Sequence, residues 1–111
     1  MSVSLMENLS RTLTDEVTGM RIPKKVRITS KVSYEIVYVE EFEDKTTVGE
    51  CRGEKNQIVL KIGQSKTDMF KTFLHEILHA IEYEYNVSLP HEAIYKMEDA
   101  IERILVLNKW I

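Results

Sequence analysis

The chain has 111 residues, a formal net charge of −3, 43% apolar residues and 30% charged residues. These values fit one domain over residues 1–111 with a single modest core, and they argue against disorder. The acidic balance excludes a basic nucleic-acid binder, and the lone Cys51 excludes an internal disulfide or a cysteine-rich zinc cluster. No stretch approaches the roughly 18 apolar residues of a membrane span. The first residues lack the basic-then-apolar layout of a secretory signal, so a cytoplasmic location is expected.

Residues 3–20 place Val3, Leu5, Met6, Leu9, Leu13, Val17 and Met20 at helical spacing, which predicts an amphipathic helix ending before Pro23. A β-region follows. Val26 and Ile28 suggest a short strand. Val32, Tyr34, Ile36 and Tyr38 alternate along a second, with Val37 and Val39 on its other face. Residues 41–47 read as a loop, Val48 to Arg52 as a strand, and Gly53 to Asn56 as a hairpin turn. In the next strand Ile58, Leu60 and Ile62 alternate with Gln57, Val59 and Lys61, and the lysine suits a sheet edge. Ser65 and Asp68 resemble a capping box for a helix running to about Tyr85. Pro90 opens a last helix that reaches about Asn108. The expected fold is α+β: an N-terminal helix, a three- or four-stranded mostly antiparallel sheet, then two helices.

Chemistry concentrates in His75-Glu76-Ile77-Leu78-His79. Histidines four apart lie on consecutive turns of one helix face, so their rings can converge on one ion. Phe70, Phe73, Leu74, Ile77, Leu78 and Ile81 form the core stripe, and the two histidines fall roughly 130–170° from its centre. The bland alternative, two ordinary helix histidines, therefore loses ground. Most charges from Glu76 to Glu102 are acidic, which fits either a solvated face or acids around a cation. On the last helix the apolar stripe is Ile94, Met97, Ile101, Ile104 and Leu105. Glu98 lies at its border, where burial needs a partner or a metal. His91 lies on the same edge, seven residues earlier and about 10 Å away along the axis. One ion cannot easily take both. Glu98 is the expected third ligand, and His91, at the helix start, the expected solvent-facing residue.

His75-Glu76-x-x-His79, followed after eighteen residues by Glu98, resembles the gluzincin zinc peptidases. The stretch Thr72–Ala80 also resembles the small HExxH proteins of phages, prophages and archaea called minigluzincins. That likeness covers residues 57–105 and leaves 1–30 without an anchor. It implies a minimal zincin-like fold, a motif helix and a glutamate helix. It also implies Zn²⁺ on His75, His79 and Glu98, with Glu76 as the catalytic base. Glu102 would support a ligating histidine, and Tyr95 could donate to the oxyanion. The implied activity is zinc-dependent hydrolysis of a peptide or protein, in the host cytoplasm if the chain is phage-encoded. The strand Ile58–Ile62 would offer its edge to the peptide. The absence of a second lobe implies low or latent activity and makes a homodimer a candidate assembly. The competing expectation is a zinc-binding regulatory module with little turnover. Glu76 weighs against it, because a structural site needs no base and prefers a fourth protein ligand. Nucleic-acid binding through the five basic residues of Arg21–Lys31 lacks any aromatic platform.

Overall fold

The computed structural model describes residues 21–109. The helix expected over residues 3–20 lies outside them. The described chain runs β1 (Lys25–Arg27), β2 (Ser33–Val39), β3 (Gly49–Arg52), a 3₁₀ turn (Gly53–Lys55), β4 (Gln57–Lys61), α1 (Lys66–Tyr85) and α2 (His91–Leu107). This is an α+β fold: a four-stranded mixed sheet with two helices. No helix among the described residues is long and apolar enough to cross a membrane.

The sheet order is β1-β2-β4-β3. β1 pairs antiparallel with β2, and β3 with β4, but β2 and β4 run parallel, with Ile36 beside Ile58 and Tyr38 beside Leu60. The edge placement expected for residues 58–62 is therefore wrong: β4 is central, and β1 and β3 are the edges. Composition explains the exchange. Ile58, Val59 and Leu60 are all fully buried, a continuous apolar run that needs cover on both faces. β3, with the sequence GECR, tolerates a solvent-facing side. Alternation alone assigned Val59 to a polar face. Lys61 sits at the strand's end and does not decide its position.

Tyr34 and Ile36 of β2, Ile58 and Leu60 of β4, and Phe70 and Phe73 of α1 form the centre of the core. Each such side chain contributes about 1.5–3 kcal/mol on burial. α1 starts as expected. The Ser65 hydroxyl accepts the Asp68 N–H at 3.1 Å, which satisfies one of the free donors at the helix start. It ends at Asn86, whose left-handed backbone (φ 54°) turns the chain toward α2. Pro90 is the cap residue of α2, one position earlier than a first helical residue.

Candidate metal centre

α1 is enclosed on more than one side. Phe70, Phe73 and Leu74 face the sheet core. A second line, Thr72 and Glu76, spaced by one turn, packs on β3. A Cβ added at Gly49 would fall 2.5 Å from Thr72 Cγ2 and 3.0 Å from Glu76 Oε2. Glycine in a strand commonly marks such a close approach, and Gly49 is the sequence signal for this contact. His75 and His79 occupy another face, toward α2, and are half-buried, with side chains 17% and 28% exposed.

The two imidazoles meet through their Nε2 atoms, 3.2 Å apart. Each Nδ1 faces a carboxylate: His75 is 2.7 Å from Glu98 Oε1 and His79 is 2.7 Å from Glu82 Oε1. A proton on Nδ1 makes both bonds, and it leaves an unprotonated lone pair on each Nε2. Two such lone pairs repel unless a cation or proton lies between them. Zinc–nitrogen bonds of about 2.0–2.1 Å at tetrahedral angles separate two ligand nitrogens by about 3.3 Å, close to the observed spacing.

α2 supplies a third ring. One ligand atom from each of His75, His79 and His91 can be chosen so that all lie within 4.8 Å of one another. The His91 ring is stacked on His75 at 6.1 Å and edge-on to His79 at 5.5 Å. His91 is exposed, as the sequence suggested, yet it stands at the cluster. Glu98 does not take the expected ligand position. It is bonded to Nδ1 of His75, the nitrogen turned away from His79 Nε2. Nor is Glu98 on a border: with Ile94 it is buried, whereas Met97 and Ile104, expected in the stripe, are exposed. Glu102 is also placed otherwise. It lies 3.7 Å from Lys71 Nζ, and Lys71 also contacts Asp99 at 3.2 Å. The carboxylates on the histidine Nδ1 atoms are Glu98 and Glu82. Tyr95 stands beside the rings, 5.2 Å from His75 and 6.0 Å from His91, and is more than half exposed.

Glu76 is 6% exposed. Burial, followed by the charges of Glu50 and Glu98, pushes its carboxyl up to about 7. Glu82 has the opposite setting: the Leu89 N–H, then His79, holds its carboxyl below the ordinary range. Sequence reasoning missed Glu82. Its signal was available: it lies three residues after His79, hence on the same helix face.

Comparison with protein-family models, curated proteins and solved structures finds no match to this chain.

Proposed function

We propose that this chain is a zinc-dependent peptidase whose metal is held by His75, His79 and His91. One observation carries the reading. Three imidazoles converge at a spacing suited to one ion, and the two on α1 are turned by carboxylates so that Nε2 is the free donor. The donor set is neutral nitrogen, which suits zinc, and three protein ligands leave a position open for water or substrate. When bound, zinc would acidify that water and polarise the scissile carbonyl.

The remaining work falls to side chains. Glu76 accepts the water proton on its carboxylate and returns it to the leaving amine. The Tyr95 hydroxyl donates to the carbonyl oxygen as negative charge develops there. Glu98 keeps the His75 proton on Nδ1. β3, an edge of the sheet packed beside the Glu76 face of α1, offers backbone groups to an extended peptide.

A second reading, a zinc-binding interaction module with little turnover, is favoured by the burial of Glu76 against Gly49. Zinc analysis of protein prepared without chelator, followed by incubation with a diverse peptide library, separates the two. The expected result is about one zinc per chain and cleavage that chelation abolishes. Zinc with no cleavage supports the module, and zinc at background removes both readings.

A further inference from the structure

Glu82 has no task in the hydrolytic scheme, yet both its oxygens are committed. Oε1 lies 2.7 Å from His79 Nδ1, and Oε2 accepts the Leu89 backbone N–H at 2.6 Å. Leu89 lies in the connection between the helices, two residues before His91. The same connection is also tied to the Glu82 backbone, whose carbonyl accepts the N–H of Val87 at 3.1 Å and that of Asn86. One residue thus touches a histidine of α1 and the segment that delivers the histidine of α2.

We propose, on the basis of the three-histidine reading, that Glu82 is the positioning residue of the centre. It sets the tautomer of His79 and seats the connection, so that donors from two elements are brought into register by one carboxylate. Without Oε1, the His79 proton can move to Nε2 and bond the facing His75 Nε2, which blocks the donor. Without Oε2, the Leu89 N–H loses its partner and the start of α2 is released. Glu98 differs because it orients one ring only. Glu84 cannot substitute, since its carboxylate is held by Tyr34 and Asn56. Glutamine cannot perform both tasks. It has one acceptor oxygen, and its amide would turn an N–H toward the other donor.

The test has two readouts besides activity. Long-range ¹⁵N–¹H NMR of the metal-free wild type reads the histidine tautomers directly, and the proton of His79 is expected on Nδ1. Competition with a chromophoric chelator reads zinc affinity, which Glu82→Gln and Glu82→Ala should each lower roughly 10- to 100-fold. In a His91→Ala background the Glu82→Ala loss should shrink, because part of the effect runs through His91. A proton on Nε2 of His79 in the wild type, or unchanged zinc affinity in Glu82→Gln, overturns the proposal. If the wild type binds no zinc at all, the peptidase reading itself fails. Zinc bound equally by wild type and Glu82→Gln defeats only the role of Glu82.

Discussion

Glu82 and Glu84 lie two residues apart on α1 and both accept hydrogen bonds from partners distant in the fold, but they serve different ends. Glu84 accepts a hydrogen bond from the hydroxyl of the fully buried Tyr34 at 2.7 Å and one from Asn56 Nδ2 at 3.4 Å. Each donor there meets an acceptor, so the network closes and fastens α1 to β2. Glu82 Oε1 lies 2.7 Å from Nδ1 of His79, whose Nε2 stands 3.2 Å from Nε2 of His75. The three histidines there stand close enough together to hold a metal ion. A structural polar cluster satisfies its own groups, whereas a binding cluster holds electron pairs ready for something it does not contain.

The largest expected effect sharpens the open side of this comparison. Glu76→Gln should retain zinc and fold but lower peptide hydrolysis on the order of 10²- to 10⁴-fold, as expected for loss of a general base. Parallel zinc analysis and peptide kinetics check it; equal turnover in mutant and parent would remove Glu76 from the reaction. The next effect concerns the third donor. Glu98→Gln should weaken zinc roughly 10- to 100-fold, the range of an outer partner to a ligating histidine. His91→Ala should cost more than that. If a zinc titration gives the reverse order, Glu98 is the ligand and the gluzincin-like arrangement read from sequence is restored.

That second test falls where the sequence ran out. The two helices, the Ser65 cap and the placement of His75 and His79 off the core stripe were legible, because helical periodicity and capping are local. The sheet order was not. β3 and β4 form a hairpin that sequence can suggest, but insertion of β4 beside β2 depends on which strand most needs two-sided cover. The three consecutive buried residues Ile58, Val59 and Leu60 held that information, and period-two alternation obscured it. The site was only half legible. Spacing along α2 separates His91 from Glu98, and the way α2 crosses α1 decides that His91 joins the histidine cluster while Glu98 meets Nδ1 of His75. The Asn86–Pro90 connection, held by Glu82, brings the start of α2 to the rings and leaves Glu98 facing the back of His75.

The closed side should respond in stability and not in metal binding. Tyr34→Phe leaves the Glu84 carboxylate without its closest donor and should cost about 1–3 kcal/mol. In a domain of this size that lowers Tm by about 4–8 °C per kcal/mol. Zinc affinity should stay at the wild-type value, since no atom of this cluster touches the histidines. A calorimetric scan and a zinc titration on the same sample check both halves. Loss of zinc with Tyr34→Phe would show that the two networks are coupled through α1.

The last expected effect is a pH dependence confined to the metal-free protein. Glu76 has an ordinary value of 4.5, pushed up to about 7 by burial first and then by Glu50 and Glu98. Between those values the folded chain keeps a proton that the unfolded chain has released. The folded state binds more protons there, so stability falls as pH rises through this window and levels off above about 7. Below 4.5 both states are protonated and the difference vanishes. The metal-free wild type should therefore melt lower near pH 7.5 than near pH 5, relative to Glu76→Gln, whose neutral amide cannot titrate. Comparison with the mutant subtracts every contribution common to both proteins. Saturating zinc should flatten the wild-type trend, because a cation near the carboxylate favours its ionised form and offsets the burial. Parallel melting curves for wild type and Glu76→Gln from pH 5 to 7.5 would place Glu76 in a hydrated site. A trend that zinc leaves untouched would place it too far from the metal to act on a bound water.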